Sequence, residues 1–479
     1  MTTSEKATTY HEIDFLLPAQ RFNINFSYIS QKGLPFFREF VLRLVHIAPM
    51  SMSQVATFFG FSRKEVQEAV DDLVERGELT LSENGRLTLT QKSSSYFTEL
   101  GEVPSLSLLQ DSTACLSFDL ATFSCLGKDN SSEKWKSGIK IKVDEQNISC
   151  SESYVEKHFQ HQFHEILQKD YLSRLLTQDR TVSPNVYTVN SVNKIKSMPV
   201  RLPVQFKVDE DGRSIEREDF EKLKNSDCVQ EQISLELARF ARQSNFGSIV
   251  KIMSEIGDSE TLKLFDSKAS SVNLKFFEDL TKLESNSQKK RTTFIGPIYS
   301  SANWSLIQKQ LATIIKTRQE SKTDLGQTPF LWVAPSDPYW GKSSNLQVRV
   351  NEMVRMANPK NKKLYSPKIF LPISGPEDHG IVRQWKREFE PHTEMLHGLI
   401  EGFLDGNVEV LYFEDVFVAV VYHFSLPDSY PVSFPLGFIS AEKNVLSSIG
   451  RLLKDYIEGT KGFQQPNDCG LITRIGRGE

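Results

Sequence analysis

Residues Ser51–Thr90 read SMSQVATFFGFSRKEVQEAVDDLVERGELTLSENGRLTLT, and this stretch contains the clearest local structural signals of the N-terminal region. Ser51 precedes Gln54 by three positions, and Ser62 precedes Glu65 by the same spacing. This is the spacing of a capping box, in which the hydroxyl and the side chain three residues on each accept a backbone N–H that the helix leaves unbonded. The stretch therefore predicts two helix starts, at Ser51 and at Ser62.

The second of these helices has one apolar face at helical spacing, formed by Val66, Ala69, Val70, Leu73 and Val74. Gly60 and Gly77 stand where the two helices should end, because glycine adopts the left-handed dihedrals of a helix C-terminus without strain. Leucines then alternate with polar residues on both sides of Asn84-Gly85, which predicts a hairpin with a tight primed turn. Upstream, residues 35–47 (PFFREFVLRLVHI) predict a first helix that begins with proline.

Three helices followed by a hairpin, over about residues 34–95, resemble the winged helix-turn-helix domain. The phrase EAVDDLVERGELTLSENGRLTLT is similar to the recognition helix and wing of the MarR and TrmB type of bacterial and archaeal regulators. The resemblance implies a DNA-binding domain whose second capped helix meets the major groove with its N-terminal turns.

The charges of that helix limit where it can meet DNA. The face opposite the apolar stripe is mostly acidic, with Lys64, Glu68, Asp71, Asp72 and Glu75. Donors for bases and phosphates are confined to the first turn and the wing, at Ser62, Arg63, Lys64, Gln67 and Arg86. Residues 35–95 contain seven Lys and Arg against eight Asp and Glu, a net charge of −1, whereas DNA-binding domains usually have a basic footprint. Two interpretations stay open: contact with double-stranded DNA, or docking of a protein partner or a second copy.

Composition bounds the rest of the chain. A length of 479 residues predicts roughly two to four domains. A net charge of −4 gives no bulk electrostatic argument for nucleic acid. Five cysteines without a Cys-x-x-Cys pair favour reduced thiols in the cytoplasm over a disulfide framework or a zinc ribbon. The first residues, MTTSEKATTYHEIDF, are unlike a signal peptide, and no apolar run reaches eighteen residues, so no membrane partner is expected.

Periodicity divides the chain into segments and predicts a multidomain α+β and α/β protein. The predicted segments are an N-terminal extension (1–33), the winged helix (34–95), a β-rich middle domain (96–215), a helical segment and linker (216–291), an α/β layered domain (292–458) and a tail (459–479). The middle domain contains one predicted helix, residues 151–168, and a polar loop, residues 128–138.

Strands alternate with helices after residue 292, which favours a largely parallel sheet with ligands bound at the carboxyl ends of its strands. A hairpin is predicted about Glu414-Asp415, and CGLITRIG near the C-terminus offers an edge strand. This region would bind an effector or a partner.

Chemistry-bearing residues of the α/β domain are few. SGPEDHG (374–380) follows a strand and precedes a helix, so Glu377, Asp378 and His379 are candidates for acid, base and orienting roles, with Asp415 as a further candidate. The alternative is a capping turn with acids near a helix N-terminus. Three histidines at residues 158–164 (HFQHQFH) spread around a helix, and we expect no metal site and no cofactor.

The layout from FIGPIYSSANW (294–304) to Ser440 resembles a phospholipase-D-like domain. The signature of that family begins with His-x-Lys, which this chain lacks, so the resemblance implies a degenerate phosphodiesterase or nuclease-like hydrolase at most. TrmB-type regulators join a winged helix to a degenerate domain of this layout, which is an analogy of fold alone.

A secondary basic patch is predicted from two loops, with Lys289, Lys290, Arg291, Lys360, Lys362 and Lys363. Phosphate contact and ordinary solvated loop charge both explain it. Together these features predict a cytoplasmic DNA-associated protein and favour a role without enzymatic activity. It would be a transcription regulator or a DNA-sensing subunit of a larger mobile-element or phage-defence complex, and the alternative is a scaffold subunit that docks proteins.

Overall fold

The structure is a computed structural model. It describes residues 7–33, 36–97, 104–128, 135–175, 184–240, 243–266, 271–286, 291–320, 326–359, 362–459 and 466–475. The chain folds into two compact units, one of residues 1–18, 131–142 and 199–479, the other of residues 19–130 and 143–198. Both contain helices and strands, so the predicted mixture of α and β is confirmed. The predicted segment boundaries stay predictions.

A five-stranded sheet contains long strands that the sequence patterns did not predict. Its strands are β1 (Thr8–Gly33), β4 (Ser105–Asp119), β5 (Cys125–Gly127), β6 (Ile139–Lys140) and β7 (Asn185–Val208). Their order is β5-β4-β1-β6, with β7 also paired to β1. The segment predicted as an N-terminal extension therefore contains a 26-residue strand. β7 is likewise a single strand of 24 residues.

One face of this sheet is covered by α6 (Ser151–Gln168), whose bounds match the predicted helix. The short helix α5 (Glu145–Ser149) precedes it. Phe26 of β1 packs against Phe159 and Phe163 of α6, with ring centroids 5.0 and 5.8 Å apart. Alternate residues of β1 face this core, because successive side chains of a strand point to opposite faces.

Residues 36–97 form the predicted sequence of helices and hairpin. The elements are α1 (Phe36–Ile47), α2 (Met52–Phe59), α3 (Arg63–Glu75), β2 (Leu79–Leu81), β3 (Leu87–Leu89) and α4 (Gln91–Ser94). Both predicted capping boxes are present, at Ser51 and Ser62. Gly60 and Gly77 have the predicted left-handed conformation, each with φ of 69°. The apolar faces of the helices meet the hairpin in one core around Val41, Val66 and Leu87.

The hairpin turn differs from the prediction. A primed turn centred on Asn84-Gly85 requires positive φ at both residues, but Gly85 is left-handed and Asn84 is not. Gly85 N instead donates to Ser82 O at 2.9 Å, and Ser82 N donates to Arg86 O at 2.8 Å. Leu81 pairs with Leu87, and the bond from Ser82 N to Arg86 O leaves residues 83–85 as the loop. A three-residue loop usually closes with a type I turn followed by a left-handed residue.

The larger unit is built on an eight-stranded sheet in the order β10-β16-β15-β14-β11-β12-β13-β17. Its strands are β10 (Arg291–Ile295), β11 (Pro329–Val333), β12 (Ser366–Ile373), β13 (Leu396–Ile400), β14 (Val408–Phe413), β15 (Phe417–Phe424), β16 (Phe434–Ser440) and β17 (Asp468–Leu471). The helices of this unit are α7 (Ser226–Arg239), α8 (Phe246–Ile256), α9 (Ser259–Leu262), α10 (Leu274–Asn286), α11 (Ser301–Glu320), α12 (Ser344–Ala357), α13 (His379–Glu388) and α14 (Lys443–Glu458). A small hairpin pairs β8 (Phe265–Asp266) with β9 (Ser271–Val272).

The prediction of a largely parallel sheet is wrong. Parallel pairing joins β11 to β12 and β12 to β13, and the other neighbours pair antiparallel. Parallel neighbours need a long crossover, which α12 and α13 supply, whereas β14, β15 and β16 follow one another through connections without a helix. The predicted hairpin at Glu414-Asp415 and the predicted C-terminal edge strand, β17 beside β13, are both confirmed.

No helix in the described ranges combines the length and apolar character needed to cross a bilayer. All five cysteines are unpaired, in agreement with the prediction from their number and spacing.

Candidate functional sites

Buried charged residues lie close together at one end of the strands in the middle of the eight-stranded sheet. β11 ends at Val333, opposite the start of β14, and the start of β14 lies opposite the end of β15. This register brings together Asp337 after β11, Glu409 on β14, His423 on β15 and Ser433 before β16. We call these four residues the acid–histidine cluster. It lies at the carboxyl ends of the parallel strands, the edge where the sequence predicts ligands to bind.

His423 stands between two buried carboxylates. Its Nδ1 lies 2.9 Å from Asp337 Oδ2, and its Nε2 lies 3.4 Å from Glu409 Oε2. Burial opposes the charged ring, but the hydrogen bonds to both carboxylates outweigh it and raise the pKa of His423 to about 9. Both ring nitrogens therefore donate, and His423 is an imidazolium at neutral pH.

Other donors form hydrogen bonds with the carboxylate oxygens of Asp337 and Glu409. Glu409 Oε1 accepts from the indole Nε1 atoms of Trp332 and Trp340, at 2.9 and 2.8 Å. Asp337 Oδ2 also accepts from Ser433 Oγ at 2.5 Å, and Asp337 Oδ1 accepts from the backbone N–H of Tyr339 at 3.2 Å. Burial of Asp337 disfavours its charge, yet the bonds from His423 and Ser433 lower its pKa to about 2. The cluster is a nearly saturated hydrogen-bond network with one cation between two anions.

A second histidine, His11, is also buried in this unit. Burial lowers the pKa of His11 to about 4, although the charge of Asp337 acts in the opposite direction. His11 Nδ1 lies 3.3 Å from Glu12 O, and His11 Nε2 is buried with no partner among the described residues. His11 is therefore neutral at pH 7.

These two histidines predict a stability maximum near pH 6.5. Between pH 6.5 and 9 folded His423 keeps a proton that the unfolded chain loses, so its contribution is full below pH 6.5 and is lost as pH rises through 9. Between pH 6.5 and 4 His11 is protonated in the unfolded chain but stays neutral in the folded protein. The free energy of unfolding therefore also falls as pH falls through this range. Each loss is on the order of 3 kcal/mol. Urea unfolding from pH 4 to 9 measures it, and a free energy that stays flat above pH 6.5 contradicts the role of His423.

Sequence reasoning did not single out this cluster. His423 is the penultimate residue of the apolar strand FVAVVYHF, Glu409 lies in the apolar run VEVLYF, and Asp337 follows FLWVAPS. A charged residue inside an apolar strand was the available signal, because such a residue is buried only with a partner. The partner lies elsewhere in the chain, so the sequence alone does not identify it.

The predicted catalytic candidates lie in turns and at the start of α13. Asp378 is the N-cap of α13: its Oδ1 accepts from Ile381 N at 3.1 Å, and its Oδ2 accepts from Ser374 Oγ, a bond that lowers the pKa of Asp378. Glu377 and His379 are exposed, 3.8 Å apart. Asp415 has φ of 60° in the β14–β15 turn, at the end of the sheet away from Glu409. This arrangement matches the capping alternative.

The histidines of α6 are not gathered at a metal site. His158 stacks on Phe123, with ring centroids 5.4 Å apart, and His164 contacts Phe163 edge-on. Among the residues that the structure describes, no group of three His, Cys, Asp or Glu side chains is placed to hold a metal ion.

The predicted DNA-contacting residues are exposed, namely Ser62, Arg63, Lys64, Gln67 and Arg86. Ser62 Oγ and Glu65 are used by the capping box, and Gln67 Nε2 donates to Asp71 at 2.9 Å. In the described part of the chain, the side chains of Arg63, Lys64 and Arg86 show no hydrogen bond or ion pair. The opening turn of α3 is therefore not packed beneath other parts of the molecule.

The acidic half of α3 is exposed as well. Asp72 pairs with Arg76 at 2.7 Å on the surface, and the remaining acids of this half are Glu68, Asp71 and Glu75. The buried acid that follows the helix, Glu78, is bound by Arg38 and by the hydroxyl of Tyr96 at 3.1 Å. Glu78 stabilises the core between α1 and the hairpin. Because it is buried, it adds no negative charge to the exposed face of α3.

Phenylalanines border the basic turn. The side chain of Phe58 is 61% exposed and that of Phe61 is 42% exposed. Phe59 lies between them, with ring centroids 5.2 Å from Phe58 and 5.8 Å from Phe61. Exposed aromatic rings grouped in this way are uncommon on a surface that has no partner.

One member of the predicted secondary basic patch, Arg291, does not lie on the surface. Lys289, Lys290 and Lys360 lie outside the described residues. Arg291 is buried, donates to Asp258 Oδ1 at 2.8 Å and lies 3.7 Å above the ring of Phe438.

The two described lysines of this patch are exposed. Lys362 Nζ donates to the carbonyls of Arg318 and Gln319 at 3.0 and 3.1 Å, where it caps the C-terminus of α11. Lys363 is the neighbouring exposed lysine.

No protein-family model matches the chain, and no curated protein or solved structure is significantly similar to it. The winged-helix and phospholipase-D-like resemblances therefore stay predictions. The buried histidine of the large sheet, His423, is followed two positions later by Ser425, so the lysine of the phospholipase-D-like signature is absent there too.

Proposed function

We propose that this chain is a cytoplasmic protein that associates with double-stranded DNA through the opening turn of α3 and the hairpin loop. It acts as a winged-helix transcription regulator or as the DNA-sensing subunit of a larger mobile-element or phage-defence complex. The proposal is supported above all by the exposed, uncommitted cations Arg63, Lys64 and Arg86 beside a helix N-terminus.

Helix termini give this arrangement its affinity for anions. The first backbone N–H groups of a helix lack intrahelical partners and carry a partial positive charge, which favours phosphate. In α3 the capping box satisfies one of these N–H groups, that of Glu65, while Arg63 and Lys64 stand in the same turn. Gln67, one turn further on, is the residue positioned to reach base edges after release of its bond to Asp71.

A small number of cations predicts weak and salt-dependent binding. Three phosphate contacts per protomer give a slope of about −3 for log affinity against log salt concentration. The acidic half of α3 has to face away from the duplex, since carboxylates near phosphates oppose binding. Tight association would then require two or more copies on one DNA molecule, which agrees with the expectation of self-association.

Reversal of the two helix cations tests the proposal. We expect Arg63→Glu plus Lys64→Glu to weaken binding to duplex DNA at least tenfold at low salt, because two attractive charges become repulsive. Fluorescence anisotropy over a salt series measures both affinity and slope. The matched control is Lys194→Glu plus Lys196→Glu, an equal change in net charge at exposed positions of β7. Equal loss in both variants, or no binding by the wild type at low salt, contradicts the proposal.

The phenylalanine surface supports a second candidate, a scaffold subunit in which residues 36–97 dock a second copy of the chain. Phe58 and Phe61 are the exposed residues that such docking would cover. Under this candidate Phe58→Ser plus Phe61→Ser lowers the sedimentation coefficient of the full chain and leaves duplex affinity unchanged. A wild-type chain that sediments as a monomer at tens of micromolar excludes it.

No reaction is proposed for the hydrolase alternative. Its candidate residues Asp378 and Asp415 serve a helix cap and a turn, and His379 is paired with exposed Glu377.

A further inference from the structure

A pocket of about 280 Å³ opens beside the acid–histidine cluster. Its wall contains the C-terminal turn of α7, the end of β15 and the loop before β16. Asp337 and His423 lie on this wall, and we call the cavity the Asp337 pocket. A cavity of this size is just below the range of sites that take drug-sized molecules, roughly 300 to 1,000 Å³, so it suits a ligand of one or two rings.

Rings and small apolar side chains form most of the remaining wall. Phe240, Tyr339 and Tyr430 contribute aromatic rings, and Pro427 and Pro431 contribute pyrrolidine rings. Phe240 and Tyr339 meet edge to face, with ring centroids 6.1 Å apart. Flat surfaces of this kind favour a planar ligand, because ring stacking maximises dispersion contact.

Asp337 supplies the polar contact. A carboxylate has about four acceptor positions. Oδ2 receives His423 and Ser433, and Oδ1 receives the backbone N–H of Tyr339. Among the described residues this leaves one acceptor position on Oδ1, so a ligand with an N–H group satisfies it. A bond to a buried carboxylate is stronger than a bond between neutral groups.

The charges around the pocket already balance. His423 and Arg217 are cations, and Asp337 and Glu409 are anions. Arg217 is held on the wall by Gln230 Oε1 at 2.9 Å and by Ser234 Oγ at 2.7 Å. A charged ligand would bring an uncompensated charge into a partly desolvated space, which is unfavourable. An uncharged ligand avoids that penalty.

We infer that the Asp337 pocket binds a small uncharged planar heterocycle that donates an N–H group to Asp337, with nucleobases and nucleosides as the matching chemical class. The sequence predicts that this part of the chain binds an effector, and the Asp337 pocket would be the site where the effector binds. It does not rest on DNA association, because binding is measured on the chain alone.

Direct titration tests the inference. Adenosine, guanosine, cytidine and uridine are titrated into the full chain by isothermal calorimetry, alongside adenosine monophosphate and spermidine as charged probes. We expect at least one nucleoside to bind with Kd below about 1 mM, and the charged probes to bind at least tenfold more weakly. Absence of nucleoside binding, or equal binding of the charged probes, overturns the inference.

A pocket-filling variant localises the signal. Ala238 lies on the pocket wall and is exposed, so Ala238→Phe narrows the cavity without removing core contacts, and we expect it to weaken nucleoside binding at least tenfold. The matched control is Ala312→Phe, at an exposed position of α11 outside the pocket. Equal affinities of the two variants place the nucleoside elsewhere and overturn the assignment. The nucleoside titration does not depend on whether the chain binds duplex DNA. The proposal of DNA association and the inference about the Asp337 pocket can therefore be contradicted independently.

Discussion

Replacing His423 with alanine is expected to lower the free energy of unfolding by about 3–5 kcal/mol. The substitution removes the cation between Asp337 and Glu409, which are both buried. Two carboxylates then face each other across a cavity, and their repulsion is only weakly screened because both are buried. Urea denaturation at pH 7 measures the change as a lower midpoint.

The matched control is His379→Ala. The side chain of His379 is exposed, and among the residues that the structure describes its ion-pair contact is with Glu377, 3.8 Å away on the surface. Surface substitutions of this kind usually change stability by less than about 0.5 kcal/mol. If the two alanine variants unfold at the same urea concentration, the acid–histidine cluster contributes nothing to stability and the interpretation of the buried network fails.

Gly437→Ala is expected to destabilise the large unit by about 3 kcal/mol or more, and to lower soluble yield. A Cβ at Gly437 would stand 2.0 Å from Val420 O and 2.7 Å from Val421 Cα. Both atoms belong to the backbone of the neighbouring strand β15, in which every residue is buried. Neither strand can move aside without loss of ladder hydrogen bonds, so the clash is relieved only by local distortion.

Gly375→Ala provides the comparison for this prediction. No atom lies within 4 Å of a Cβ built at Gly375, and its φ is not in the left-handed region. We expect a change in unfolding free energy below about 0.5 kcal/mol, since alanine also restricts the unfolded chain. Thermal unfolding of the two variants side by side decides the matter. A Gly437→Ala protein as stable as Gly375→Ala would mean that β15 and β16 do not pack as described.

Local signals were sufficient for residues 36–97. A capping box, a glycine C-terminus and a 3.6-residue stripe act within one or two helical turns, so Ser51, Ser62, Gly60 and Gly77 adopt the predicted conformations. The hairpin strands were predicted for the same reason. The type of the hairpin turn was not predicted, because the dipeptide Asn84-Gly85 is compatible with several loop lengths. The pairing of Leu81 with Leu87 gives a loop longer than the two-residue turn that was predicted.

Strand partners were beyond local reasoning. β1 pairs with β4 at a separation of 72 to 100 residues, from Gly33–Ser105 to Ala19–Asp119. The alternation in FNINFSYIS is visible in the sequence, but nothing near it in the chain indicates the strand with which it pairs. The same limit made the large sheet look parallel, since alternating strands and helices do not reveal that β10 pairs with β16 and not with β11.

Helix starts, helix ends, the apolar faces and the exposed cations of α3 follow from neighbouring residues, because hydrogen bonds and side-chain periodicity within one element need no distant partner. The acid–histidine cluster and the Asp337 pocket depend on tertiary structure. A charge such as His423 can be buried only where other strands bring Asp337 and Glu409 within hydrogen-bond distance, and the order of those strands is set by long-range packing.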